Sequence, residues 1–486
     1  MRYLRILAIA FFVPLAAHAA ELPSGEQWLV HFVRDVLPYW SSPEALGRPI
    51  GHFPTFRYTD GTPIAAGERI RPEYPWLTPE NAPWIALRLD RTYTRMLSRQ
   101  AYVLGVAYHL TGDGRYLAWA KAAVDHILRD LADGEGSFCS WIEDGACRPA
   151  PRRRTAQDFA YALLGPAFYA YLTHDPEVLS SIVAAQKAFF AAYRDPQTGL
   201  LRWVLEASED PPDTFSPEQV ELVAQLDQVN AYLLLLAPVV PETERWQAEL
   251  VGLSKLLMER FYDPEHNVFW GRIDAPEFRR MGGHHHTDVG HTTKTFWMLD
   301  RIAALTGDQA MAKLAREGGL RLIDGVFREK DGAWSDGWNA DGTIKDGATW
   351  WAFAEVDQLA ATLALTEPRA ASHLPRTYDF WLTRFVDHRQ GGVWPFPIDP
   401  ADQPPVLKAH LWKNGYHEAE HALVAYLTGN ALRGEPVELY FAPAVGETIA
   451  VRPYFFQGEA EPLGRLPWRT CQGESGWRFG FAICGR

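Results

Sequence analysis

Residues 108–116 read Tyr-His-Leu-Thr-Gly-Asp-Gly-Arg-Tyr, and they join a nearly apolar run to an amphipathic one. The same phrase recurs along the chain: a hydrophobic helix, Thr, one or two small or polar residues, then Asp, Pro or Asn and a second helix. Its marks are Thr111, Thr173, Pro241, Thr306, Thr366 and Thr428, spaced 62, 68, 65, 60 and 62 residues apart. After each of the first five marks the second helix ends in a loop carrying Asp, Gly and Trp. These loops run from Asp133 to Trp141, Asp195 to Trp203, Asp263 to Trp270, Asp331 to Trp338 and Asp387 to Trp394. Self-similarity at this period marks a supersecondary unit repeated around a fold, each copy burying its apolar face against its neighbours.

The helices before the marks (about 84–110, 156–172, 225–240, 288–305, 349–365 and 414–427) are apolar nearly all round, which predicts burial. Those after the marks, such as Tyr116 to Leu131 and Ala310 to Ile323, are amphipathic and belong outside. The pattern predicts an all-α (α/α)6 toroid, six inner helices inside six outer ones. Gly434 and Pro436 interrupt the chain after the sixth mark, so the helical stretch 25–40 is expected to fill the sixth outer place. Strand-like runs at Val437 to Phe441, Ile449 to Phe456 and Trp477 to Cys484 predict a small β-rich extension packed on the rim.

Arg2 and Arg5, the apolar run Ile6 to Ala17 and Ala17-His18-Ala19 read as a secretory signal cleaved after Ala19; an uncleaved anchor is the alternative. The expected layout is a signal at 1–19, a barrel at 20–434 and the β extension at 435–486. A periplasmic or secreted protein follows, as a monomer or homodimer with no membrane contact once the signal is gone. The formal charge of −13 becomes −15 without Arg2 and Arg5, which argues against nucleic acid as a partner. It disfavours a polyanionic substrate only weakly, because a local basic pocket could override it. The four cysteines form local pairs, Cys139/Cys147 and Cys471/Cys484, read as disulfides in an exported chain. Convergence of both pairs on a metal is the alternative.

In a toroid, polar residues in the opening turns of the inner helices face the pocket. Helix by helix these are Arg91, Arg95 and Arg99; Gln157 and Asp158; Asp227, Gln228 and Asn230; His284, His285, His286, Asp288, His291 and Lys294; Trp350, Trp351 and Glu355; and Lys413, Tyr416, His417, Glu418, Glu420 and His421. Charged groups in apolar helices are costly unless paired or used, and all six helices carry them near one end. Three consecutive histidines cannot easily all face one ion, and no metal or cofactor is expected.

The stretch Thr94-Arg95-Met96-Leu97-Ser98-Arg99-Gln100-Ala101-Tyr102 and the hairpin after it resemble the N-acylglucosamine 2-epimerase superfamily, which includes cellobiose 2-epimerases and mannose isomerases. Gly290-His291, Trp350-Trp351 with Glu355, and Lys413-Asn414-Gly415-Tyr416-His417 resemble its later motifs in the same order. The resemblance spans about 85 to 430. It implies the same barrel and a sugar epimerase or isomerase in which His291 and His417 serve as general acid and base, roles that suit an ordinary pKa of about 6.5. It further implies that Arg95 holds sugar oxygens or developing negative charge and that Trp350 or Trp351 stacks on a pyranose. Asp227, Gln228, Asn230, Glu355 and Tyr416 complete the substrate-binding set.

The chain departs from the family at three points. Gln228-Val229-Asn230 with Leu233 stands where His-x-His and Glu are usual. Lys294 replaces a Glu after Gly-His, and Glu420 replaces an Arg after Tyr-His. If Lys294 and Glu420 face each other, an ion pair of reversed polarity survives and supports the histidines. Two other readings stay open: a glycoside hydrolase or polysaccharide lyase using Asp158, Asp227, Asp288, Glu355 or Glu418, and a glycan-binding protein without catalysis.

Overall fold

The computed structural model describes residues 22–134, 136–210, 213–443, 451–469 and 475–483. The signal reading at 1–19 and the Cys471/Cys484 pair lie outside these residues.

The repeated phrase is a helix stop followed by a helix start. Thr111, Thr173, Thr306 and Thr428 return their hydroxyls to the carbonyl four residues back, at 2.6–2.9 Å. Gly112, His174 and Gly307 then take the left-handed conformation that ends the inner helix. Asp113, Asp175 and Asp308 accept the first free N–H groups of the outer helix. The Asp of three return loops works similarly: Asp195 accepts from Gln197 and Thr198 N–H, Asp263 from Glu265 and His266, and Asp387 from Arg389 and Gln390. Short antiparallel bridges such as Arg194 to Leu201 and Val386 to Val393 close these loops and lead into the next inner helix.

The inner helices are Thr94–Thr111, Ala156–Thr173, Leu222–Gln228 continuing through a wide π turn (Val229–Leu233) to Leu234–Leu236, Val289–Thr306, Trp350–Ala364 and Tyr416–Arg433. The outer helices include Gly114–Asp125, Pro176–Tyr193, Thr243–Leu256, Gln309–Val326 and Leu374–Phe380. The helical stretch from Gly25 to Ser41 takes the sixth outer position. Trp28 packs edge-on against Tyr378 and His421, and Trp40 donates from Nε1 to Glu418 at 2.9 Å.

Two expectations need correction. The first inner helix does not begin near residue 84. Pro83–Ala86 is a separate turn of helix, and Thr92–Tyr93 pairs with Trp141–Ile142 before Thr94 starts the helix. Residues 451–456 form no strand. Tyr454 has φ +55°, and Tyr454, Phe455 and Phe456 all point inward, which an alternating strand cannot do. The strand comes later, at Gly458–Arg469, in an antiparallel sheet ordered Val437–Phe441, Ser475–Ile483, Gly458–Arg469.

The C-terminal segment covers the ends of the inner helices and binds their free carbonyls. Ala442 N–H donates to Leu172 O, and Arg452 donates to Leu234 O and Leu235 O. The opposite end, where the inner helices begin, is left for the site. No described helix is long and apolar enough to cross a membrane.

Candidate active site

A cavity of about 570 Å³ opens where the inner helices start. His291, Lys294, Trp350, Trp351 and His417 line it, together with Arg99, Gln157, Tyr161, Trp203, Phe215, Glu221, Arg272, His284 to His286 and Trp412. A pocket of this size, with aromatic walls and a few convergent polar groups, suits a small polar ligand.

The two histidines pack against one indole. The Trp351 ring centre lies 4.8 Å from that of His291 and 5.8 Å from that of His417. Gly290 makes this possible: a Cβ there would stand 2.3 Å from the Trp351 ring. Asp288 caps the fourth inner helix through His291 N–H at 2.7 Å and accepts from His291 Nδ1 at 2.6 Å, leaving Nε2 free. His417 Nδ1 lies 3.1 Å from Glu355 Oε1, close enough for attraction but poorly aligned for a hydrogen bond. Burial, followed by the nearby Lys294, Arg99 and Lys413 cations, holds the His417 pKa well below the usual value, so its imidazole is neutral at pH 7.

A charged layer lies behind this surface. Lys294 Nζ is 3.7 Å from Glu355 and 4.0 Å from Asp227, and donates to Tyr161 Oη at 3.4 Å. Burial opposes its charge, yet Tyr161, Glu355 and Asp227 outweigh burial and keep the ammonium protonated. Glu355 is pushed upward, mainly by burial. Glu420 does not pair with Lys294 as the charge exchange suggested. It accepts from Tyr416 at 2.9 Å and Tyr454 at 2.5 Å, with Gln358 Nε2 at 3.4 Å. Neutral donors reach Glu420 first, and Lys294 has two closer carboxylates.

Several residues read as substrate-binding stand away from the cavity wall. Arg95 pairs with Asp158 at 2.7 Å, lies under Trp412 and faces a side niche. Asp227 is fully buried and accepts from Gln157 and Tyr161. Gln228 ties two inner helices together through Ala156 O and Tyr232. Asn230, in the π turn, donates to Tyr416 Oη at 3.1 Å. Sequence reading passed over Trp203, although it ends one of the Asp-to-Trp loops, and Glu221, which immediately precedes the third inner helix. Tyr161, Phe215, Arg272 and Trp412 carried no comparable signal.

The histidine triplet also behaves unexpectedly. A turn through Gly282 (φ +69°), with His286 N–H donating to His284 Nδ1, brings one ring nitrogen of each histidine within 4.8 Å of the others. Glu221 lies 3.2 Å from His286 and 3.6 Å from His284. This donor set could hold a transition-metal ion. Glu355, His417 and Glu420 are equally close-set, but Lys294 already supplies the cation there.

No family model matches the chain. Over 344 residues it is 22% identical to the cellobiose 2-epimerase of Ruminococcus albus, covering 68% of this chain and 86% of that one. The solved cellobiose 2-epimerase of Spirochaeta thermophila is similar in fold at a TM-score of 0.67 and 18% identity, covering 84% and 97%. A crystal structure of D-mannose isomerase gives 0.67 at 14%, covering 82% and 97%. Fold and motif order define a toroid of the sugar-epimerase kind. These similarities in sequence and fold support the N-acylglucosamine 2-epimerase superfamily that the motifs resemble.

Proposed function

We propose that the protein is a sugar epimerase or isomerase in which His291 and His417 move a proton at the carbon beside the sugar carbonyl. The observation that carries this reading is the placement of two imidazoles around Trp351, one held by Asp288 and the other neutral beside Glu355. Neutral His417 acts as the base. His291, starting with a proton on Nε2 and Asp288 beside Nδ1, delivers that proton on the opposite face, or at the neighbouring carbon, as epimerisation or isomerisation requires, and the proton left on His417 passes to solvent before the next turnover. Trp350 and Trp351 offer stacking surfaces, while Lys294, Glu355 and Glu420 set the electrostatics behind His417.

A carboxylate-driven hydrolase is less well supported. It needs two carboxylates facing the substrate, and among the described lining residues Glu221 is the single one. Asp227 and Glu355 are fully buried against Lys294. Export, the second disulfide and a monomeric or dimeric state belong to the same proposal; the signal-like N-terminus and the Cys139–Cys147 bridge support export.

Proton NMR of reducing sugars incubated with the enzyme in deuterated water tests the chemistry. Exchange at C2 is expected, with His291→Asn and His417→Asn each slowing it by roughly 10²–10⁴-fold. Full exchange in both variants would reject the reading.

A further inference from the structure

We propose that His284, His285 and His286 hold one transition-metal ion in the cavity wall, with Glu221 positioning their rings. Such a site is independent of the epimerase reading. Three consecutive histidines in an extended chain point to alternate sides and cannot meet at one ion. Here Gly282, at φ +69°, and a bond from Thr287 N–H to His284 O at 3.0 Å fold the run back on itself. One nitrogen of each ring lies within 4.8 Å of the other two, and all three side chains line the cavity.

A firm backing separates this turn from a loose run of histidines. Gly271 packs on it so closely that a Cβ there would stand 2.5 Å from the His286 carbonyl carbon, and Gly271 N–H donates to Thr287 Oγ1 at 2.9 Å. Gly271 O accepts from Leu222 N–H, and Arg272 pairs with Glu221 in an antiparallel bridge. One short segment, Gly271 and Arg272, thus fixes Glu221 against the histidines. Glu221 is 3% exposed, and its two oxygens lie 3.2 Å from His286 Nδ1 and 3.6 Å from His284 Nε2. A carboxylate on one ring nitrogen orients an imidazole and presents the other nitrogen to a metal. On His284 that other nitrogen, Nδ1, already offers a lone pair to His286 N–H at 3.3 Å, a long contact that the ion replaces.

Three imidazoles select an ion such as Zn²⁺, Ni²⁺ or Cu²⁺ over Mg²⁺ or Ca²⁺. Nitrogens bound tetrahedrally at about 2.0–2.1 Å stand about 3.3 Å apart. The widest gap must close by about 1.5 Å, and the exposed His285 ring has room to turn. The ion's charge is balanced locally, since Arg272 is already bound by Asp274 at 2.6 Å and 2.7 Å while Glu221 and Asp288 stand close by. Three protein ligands leave a fourth position to water or a sugar hydroxyl. That position lies in a wall shared with His291, whose ring centre is 4.8 Å from that of His286. The other close-set group, Glu355, His417 and Glu420, already has a cation, Lys294, 3.7 Å from Glu355.

Calorimetric titration of the full-length protein, free of any affinity tag and stripped with chelator, tests this with ZnCl₂ as the probe. One equivalent should bind, MgCl₂ should not, and saturation should raise the melting temperature. His285→Ala, and His284→Ala with His286→Ala, should each weaken binding roughly tenfold or more, and Glu221→Gln by roughly 10–100-fold, the usual cost of losing a group that orients a ligand. His417→Asn should bind as the wild type does. Absence of stoichiometric binding overturns the proposal, as does wild-type affinity in His285→Ala. Loss of binding in His417→Asn alone also overturns it, moving the ion to the Glu355 group. Wild-type affinity in Glu221→Gln reduces the turn to a bare run of histidines and removes the built site. If the double variant does not fold, His285→Ala, changed at an exposed position, decides.

Discussion

Tyr454, from the C-terminal segment, donates a 2.5 Å hydrogen bond to Glu420 in the last inner helix, and its own Oη accepts from Tyr102 at 3.2 Å. The extension therefore reaches the charged layer behind His417. This bond favours the ionised carboxylate, while burial pushes its pKa up. Removing it in Tyr454→Phe should raise the Glu420 pKa further and move the corresponding limb of the rate–pH profile upward. The loss in stability should be about 1.5–3 kcal/mol, as for a hydrogen bond to a charged group. An unchanged profile in a destabilised variant would reduce Tyr454 to packing.

Gly290→Ala places a methyl group where the Trp351 ring stands, 2.3 Å away. The indole must move, taking with it the spacing between the two histidines. Turnover should fall roughly 10²-fold, the order expected from a misplaced catalytic geometry, while circular dichroism stays native. Full activity would show that Trp351 does not set the spacing.

Burial raises the Glu221 pKa to about 7 from an ordinary 4.5. An acid held up in this way adds stability below its unfolded pKa, and that contribution is lost as pH rises through about 7. Glu221→Gln should therefore gain on the wild type in melting temperature between pH 5 and pH 8. A gap that stays constant or narrows over that range would contradict the assignment.

Cys139 and Cys147 form a disulfide across eight residues, beside the strand that pairs with Thr92–Tyr93. Opening so short a loop by replacing both cysteines with serine should cost about 2–3 kcal/mol. The effect should centre on the first return loop, read by hydrogen exchange as faster exchange at 136–148 with the inner helices little changed.

Deleting residues 22–41 removes Trp28 and Trp40, both almost fully buried, and exposes the last inner helix. Cooperative melting should be lost or shifted strongly downward. A truncated protein with the wild-type transition would show that this helix is dispensable to the ring.

The toroid was legible because its signal is periodic: at Thr111, Thr173 and Thr306 the Thr closes one helix and the Asp two residues on caps the next, and the other marks keep the spacing without that Asp. His291, Lys294, Trp350, Trp351 and His417 were legible because the opening turns of inner helices must face the pocket. Arg95 and Asp227 met the same criterion and still fell behind the wall, since a nearby opposite charge or tyrosine claimed each of them. Such pairings depend on distances between different helices, which spacing along one chain does not encode. Lys294 and Glu420 failed as a pair for the same reason: Tyr454, beyond the repeats, took the carboxylate. The inward turn at 451–456 was misread because its apolar residues are compatible with a strand until φ +55° at Tyr454 is seen.

The bond between Trp40 and Glu418 spans 378 positions. During synthesis the first helix emerges long before its docking partner exists, and the ring stays open until almost the whole chain has left the ribosome. Closure is therefore a late event, made by segments far apart in the chain. Until that last inner helix arrives, Trp28 and Trp40 lack the His421 and Glu418 partners they are docked on in the finished ring.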